Sequence, residues 1–271
     1  MSKIEITGTL TDVRWPPGCE NFFVGTIQVI KDGVPAERVK ICGSAEPDEL
    51  KQYLTYRWYG HYPPADPKWG LQFKAETFTA AKPHGRTGVV KYLQQCDGIG
   101  EQTAIAIWNN FAGDAVKIAR EHPEIIASKI PRLKLETCQA MSKVLKDLSA
   151  LEDVGIEMID ILNGRGFPKA TARAAIKKWG NKALDVIRRD PFKLLGFRGI
   201  GFLRCDSMYL DMGLSPRSLK RAAHCIAYFL SSDAEGNTWK ALEDAKRHLQ
   251  QKLGSFPIEE VQQVQEYQTA E

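Results

Sequence analysis

Several things are missing from this 271-residue chain. No apolar run approaches the roughly 20 residues that a helical membrane span needs. The six cysteines, Cys19, Cys42, Cys96, Cys138, Cys205 and Cys225, lie far apart without a CxxC pair. The five histidines are scattered, with none at metal-ligand spacing from a cysteine or another histidine. These absences argue against a membrane protein, a disulfide frame, a zinc site or another bound cofactor, and leave reduced thiols. Met1-Ser2-Lys3-Ile4-Glu5 has no signal-peptide core, so a cytoplasmic location is expected. A catalytic constellation is missing too. Asp147, Glu152, Asp153, Glu157 and Asp160 are dense, and Asp153 and Glu157 share a face if their segment is helical, but such a run reads as a solvated face rather than a metal nuclease. No Lys or Asp is marked as the group a glycosylase would need. The expectation is therefore a protein that is not an enzyme.

What the chain does have is Gln95-Cys96-Asp97-Gly98-Ile99-Gly100-Glu101-Gln102-Thr103-Ala104. It reads as a tight turn between two helices. Gly98 and Gly100 permit backbone angles that a Cβ forbids and let another molecule approach the main chain, while Ile99 can plug into a core. Gln102 and Thr103 fall in the first turn of the next helix, where free N–H groups and the helix dipole favour an anion. A Gly-hydrophobic-Gly turn followed by a small residue resembles the helix-hairpin-helix motif, which holds DNA backbones through main-chain amides without reading sequence.

The chain repeats this stretch. A slide of 68 residues places Gly98-Ile99 on Gly166-Phe167, Ala104 on Ala172, Phe111 on Trp179, Ala115 on Ala183, Arg120 on Arg188 and Pro123 on Pro191. After a one-residue gap, Arg132-Leu133-Lys134 falls on Gly199-Ile200-Gly201 and Cys138 on Cys205. Internal self-similarity of this kind decides the architecture before any element is assigned. Each unit holds two hairpins, four in all, near Gly98, Arg132, Gly164 and Gly199. The first and fourth keep both glycines. The second has Arg132-Leu133-Lys134 in their place, and the third reads Gly164-Arg165-Gly166-Phe167-Pro168, with a proline that has no N–H to offer. The complete pair is expected to hold phosphates through amides. The altered pair would contribute Arg132, Lys134, Arg165 and Lys169, or structure alone.

Charge is uneven along the chain. From Asn163 to Arg204 there are eleven bases, Arg198 and Arg204 among them, against two acids, a net of +9. From Lys91 to Leu162 there are eight bases and eleven acids, a net of −3. A polyanion is drawn first to the second repeat.

Before the repeats, Ile4–Leu10, Phe22–Val29, Arg38–Cys42, Tyr53–Tyr59 and Gly70–Phe78 read as five short strands, with Lys31-Asp32-Gly33 as a hairpin turn. Five strands suit a small barrel of OB type, a fold that stacks bases on aromatics. Trp58, Tyr59 and Trp69 are the candidate stacking residues, in a cluster with Arg57, His61 and Tyr62. The fold class is thus α+β: an OB-like barrel over 1–82, helix-hairpin-helix repeats over 89–215 (units 89–150 and 158–215), a helical or winged-helix-like module over 216–254, and an exposed tail over 255–271. Thr77–Gly88 serves as the connection after the barrel. Ser215 and Pro216 are expected to start the helix of the third module, and Gly236–Trp239 to form a turn.

This order of parts, with Gly70-Leu71-Gln72-Phe73-Lys74-Ala75, Gly98-Ile99-Gly100, Asp190-Pro191-Phe192-Lys193-Leu194 and Gly199-Ile200-Gly201-Phe202, resembles the N-terminal region of the long-form RecD-like DNA helicases over residues 4 to 253. The resemblance implies a DNA-handling front end. It does not bring ATP hydrolysis, because the family's motor needs G-x-x-x-x-G-K-[ST] to cradle phosphates and this sequence has no such run. A free-standing relative and a front end cut from its motor both fit. RuvA, which joins an OB barrel to two helix-hairpin-helix motifs and binds four-way junctions, is a second architectural relative. The expected function is sequence-independent binding of single-stranded, forked or junction DNA in repair or recombination. A helicase motor or another repair protein is the expected partner, and a RuvA-like accessory role or a truncated helicase or nuclease fragment is the alternative.

Overall fold

The structure is a computed structural model and describes residues 4–19, 21–131, 133–231 and 241–254. The chain divides into two compact units, Met1–Asp160 and Ile161–Glu271.

The first unit opens with five strands: β1 (Ile4–Arg14), β2 (Phe22–Lys31), β3 (Val34–Ser44), β4 (Thr55–His61) and β5 (Phe73–Ala80). They close into a barrel in the order β1-β2-β3-β5-β4, with β4 returning to pair antiparallel with β1. Only β3 and β5 run parallel, Ile41 beside Phe73 and Gly43 beside Ala75. The Asp-Gly turn forms as its residue types demand: Asp32 (φ 52°) and Gly33 (φ 75°) are both left-handed, the twist that joins two right-twisted strands. β1 outruns its sequence reading because a bulge between Leu10 and Asp12 bends it and lets one strand serve two neighbours. At Gly60 a Cβ would clash with the Lys74 carbonyl oxygen, so β4 and β5 meet there only because the side chain is absent.

Side chains alternate along β4, and Tyr56 and Trp58 point inward. Trp58 is fully buried among Phe23, Tyr56 and Phe78, with ring centroids 6.0, 5.3 and 5.2 Å away. The connection after the barrel is shorter than Thr77–Gly88. Thr77 and Thr79 are buried residues of β5, because threonine suits a pleated, half-covered surface, and α1 begins at Gly85.

Six more elements follow: α1 (Gly85–Leu93), α2 (Glu101–Phe111), a short 3-10 turn (Ala112–Asp114), α3 (Ala115–Glu121), α4 (Pro123–Lys129) and α5 (Leu135–Leu162), whose last two residues fall in the second unit. Ala104, Ala115 and Ala119 are completely buried, as are Leu93, Ile107 and Ile126. Small residues at these points let the helix axes approach closely. The units expected to end at 150 and restart at 158 are not separated by a loop, since α5 runs through both positions. Its buried residues Cys138, Met141, Leu145, Glu152 and Met158 keep helical spacing across the acid-rich stretch. Asp147, Asp153 and Glu157 lie on its exposed side.

The second unit contains α6 (Thr171–Trp179), a 3-10 turn (Gly180–Lys182), α7 (Ala183–Arg189), a 3-10 segment (Pro191–Gly196), α8 (Phe202–Asp211), α9 (Leu219–Ser231) and α10 (Leu242–Leu253). Phe192 is its hub, stacked on Phe202 and His224 at 5.8 and 4.6 Å and tilted against Tyr209 at 5.1 Å. Arg221, 4% exposed, fixes α9 to α8 by a two-point bond to Asp206 (2.6 and 2.9 Å) and donates to the Pro216 carbonyl. Ser215 and Pro216 do not start α9. They form a turn closed by Ser218 N–H on the Ser215 carbonyl, and the helix follows at Leu219. Of the helical or winged-helix-like module expected over 216–254, the described residues show the helices α9 and α10. Gly236–Trp239 and the tail from Ser255 lie outside them.

Candidate nucleic-acid interface

The four hairpins fall where the repeat places them. The first joins α1 to α2, the second α4 to α5, the third α5 to α6, and the fourth the Pro191–Gly196 segment to α8. The first and fourth share one frame. Ile99 N–H bonds the Cys96 carbonyl at 3.1 Å, and Ile200 N–H bonds the Phe197 carbonyl at 3.3 Å. Gly98 and Gly199 both sit at φ 79°, a conformation open to glycine at little cost. Ile99 and Ile200 are buried plugs.

The second glycine of each pair behaves differently. Gly100 (φ −77°, ψ 172°) and Gly201 (φ −106°, ψ 164°) are the N-caps of α2 and α8, with ordinary extended backbones. A Cβ built on either would meet no atom within 4 Å. No side chain caps either helix, so first-turn amides, including those of Gln102 and Thr103, are left to solvent or a ligand.

The second hairpin keeps the turn without glycines: Leu133 N–H reaches the Ile130 carbonyl at 3.3 Å and Cys138 N–H the Lys134 carbonyl at 3.1 Å. Lys134 is exposed. Arg132 lies outside the described residues. In the third hairpin Gly164 and Gly166 are left-handed (φ 75° and 71°) and Phe167 is the plug. Arg165 is engaged internally, donating to the Ile161 carbonyl at 2.6 Å and pairing with Asp211 at 3.3 Å. Lys169 is exposed.

Hairpins meet in pairs within each unit. A Cβ on Gly98 would lie 3.3 Å from Thr137 Cγ2, at the start of α5. In the second unit a Cβ on Gly166 would lie 3.7 Å from Arg204 Nε, and one on Gly199 3.6 Å from Pro168 Cγ. Thr137 and Arg204 are equivalent in the repeat, so the same contact recurs with a methyl group in one unit and a guanidinium in the other. Arg204 also donates to the Gly199 carbonyl at 2.6 Å, which holds its charge at the fourth turn.

Electrostatics separate the two complete hairpins. The first is flanked by exposed Asp97 and Glu101, the fourth by exposed Arg198 and Arg204. Like geometry thus carries opposite charge, and the potential is the more positive at the fourth. The glycines alone did not show this; the flanking residues, read against the turn frame, carry the signal. The spacing of Lys178-Trp179 and Phe197 gave no signal that tertiary packing brings them together, with the two rings 5.3 Å apart.

The thiols nearby serve packing. Burial, then Asp97, pushes Cys96 up to about 11; burial, then Asp190 and Asp206, pushes Cys205 up to about 12. Neither forms a reactive thiolate at neutral pH. Among the described residues no group of three His, Cys, Asp or Glu side chains is placed to hold a metal, and no helix is long and apolar enough to cross a membrane.

On the barrel the three stacking candidates diverge. Trp58 is excluded, because it is 0% exposed and its indole N–H faces the Gly8 carbonyl. Tyr59 is half-buried, its phenol pushed up by burial and then by Glu5. Trp69 is 57% exposed on a loop tied by Asp66, whose carboxylate accepts from the Lys68 and Trp69 amides at 2.8 and 2.9 Å. Lys40 donates to the Trp69 carbonyl, and Lys68 lies 4.9 Å from its ring centre.

A barrel leading into paired hairpins, the fourth basic and open at its glycine, defines an α+β protein with a helix-hairpin-helix domain. Residues 155–239 match the family model of the ATP-dependent RecD2 DNA helicase HHH domain. The ATP-dependent RecD2 DNA helicase of Deinococcus radiodurans is 29% identical over 142 residues, which cover 50% of this chain and 19% of that relative. The chain thus carries a helix-hairpin-helix domain of the RecD2 kind and is partly homologous to the N-terminal region of that helicase. The matched part is about a fifth of the relative's length.

Proposed function

We propose that this chain is a DNA-binding region that grips the sugar-phosphate backbone independently of sequence, and that it performs no catalysis of its own. The observation that carries the reading is Gly201. Its φ of −106° needs no glycine and its Cβ position faces empty space, so the fold does not account for the bare backbone there. An incoming phosphate does, because it needs the approach to the first amides of α8. Arg198 and Arg204 beside this turn supply the matching charge. Gly100 repeats the geometry, but Asp97 and Glu101 oppose an anion, so the fourth hairpin is the stronger contact. The similarity to a DNA helicase supports the same reading, and the exposed Trp69 gives the barrel a surface on which a base of a single strand can stack.

The test is fluorescence anisotropy with labelled single-stranded, duplex, forked and four-way DNA over a salt series. The expected result is binding that falls steeply with salt as counterions are released, tightest for single strands or forks. Gly201→Val should weaken all of these alike while leaving the fold intact. Preference for the four-way junction would favour a RuvA-like role. A Gly201→Val variant that binds every DNA as well as the wild type would remove the fourth hairpin from the interface.

A further inference from the structure

Beside the fourth hairpin stands a cluster that the glycine frame does not use. Trp179, the last residue of α6, packs edge-on against Phe197 with ring centroids 5.3 Å apart at 85°. Phe197 is itself part of the hairpin, since its carbonyl accepts from Ile200 N–H. Lys178 lies over both rings, its Nζ 5.4 Å from each centroid and 3.8 Å from where a Gly196 Cβ would be. The side chain is exposed, yet its ammonium is held by two aromatic faces rather than by a carboxylate, so its charge remains available to an outside anion. A lysine fixed in this way loses less rotamer freedom on binding than a free one.

The first unit lacks this cluster. Its equivalents of Lys178, Trp179 and Phe197 are Asn110, Phe111 and Ile130, and the Asn110 amide donates back to the Ala106 carbonyl of its own helix. The cation and its ring cradle thus occur in the repeat of net +9 and are absent from the repeat of net −3. Packing alone gives no reason for that asymmetry. Lys178 in the last turn of α6 also complements the helix dipole, but that role needs neither ring.

We infer that Lys178, positioned by Trp179 and Phe197, is a second phosphate contact on the DNA path that starts at Gly199–Arg204. This rests on the reading of the chain as a backbone binder and extends it to a named residue outside the hairpin. Lys178→Gln should weaken binding of a labelled single strand several-fold and reduce the slope of log affinity against log salt by about 1, while Lys178→Arg stays near wild type. Trp179→Leu should produce a similar loss with the lysine still present, and the double variant should be no worse than either single one, because both remove the same contact. Lys252→Gln on α10 controls for general charge. If Lys178→Gln weakens binding no more than Lys252→Gln, or lowers only thermal stability, the contact is refuted. Trp179→Leu that folds and binds normally refutes the positioning. Wild-type protein that binds no DNA at low salt overturns the functional reading itself, a result distinct from an effect confined to these variants.

Discussion

Ala112 and Gly180 lie 68 positions apart and hold the same unusual backbone, φ 44°, ψ −122° in one and φ 60°, ψ −139° in the other. Each ends a helix, α2 or α6, and returns its N–H to the carbonyl four residues before, Trp108 or Ile176. The second repeat uses the residue that tolerates this angle, and the first stores strain of roughly 1–3 kcal/mol in an alanine. Ala112→Gly is therefore expected to stabilise the protein by about 1 kcal/mol, partly offset by the greater freedom of glycine in the unfolded chain. Gly180→Ala should destabilise it by a similar amount. Urea unfolding of the two variants checks both signs, and a loss of stability in Ala112→Gly would contradict the strain.

The two glycines of the fourth hairpin should separate folding from binding. Gly199→Ala places a Cβ at φ 79° and is expected to cost about 1–2 kcal/mol of stability. Gly201→Ala introduces a Cβ into open space at an ordinary angle, so stability should change by less than about 1 kcal/mol while DNA affinity falls. Thermal melts and anisotropy on the same preparations give both readouts.

On the barrel, Trp58→Ala empties the centre of the core and should cost about 3–5 kcal/mol, enough to unfold the barrel or leave it marginal. Trp69→Ala should leave stability within about 0.5 kcal/mol and lower affinity for single strands more than for duplex. Equal loss for both DNAs would mean that Trp69 does not stack on a base.

The buried carboxyl of Glu152 makes stability depend on pH. It accepts from the Tyr92 hydroxyl at 2.9 Å, and burial holds its pKa above the usual 4.5. The folded state then binds a proton that the unfolded chain releases. Its contribution is complete below about 4.5 and is lost as pH rises through the higher folded value. Glu152→Gln should flatten that decline. Urea midpoints measured between acid and neutral pH test it, and an unchanged slope in the variant would assign the dependence to another group.

Residue types that act locally were legible in the sequence. Glycines at φ 79°, the Asp32-Gly33 turn and alternation along the strands each report a backbone constraint felt within a few residues. The 68-residue repeat multiplied those signals and placed all four hairpins. Tertiary structure alone decided the rest. It sent Trp58 inward and Trp69 outward, because only barrel closure defines the inner face. It carried α5 unbroken through the acid-rich stretch, since its buried stripe continues there. It tied Arg165 to Asp211 and left Arg198 and Arg204 flanking an open turn. Charge and aromatic residues act through space, and their partners lie up to 60 positions away in sequence, a distance that spacing and composition do not resolve.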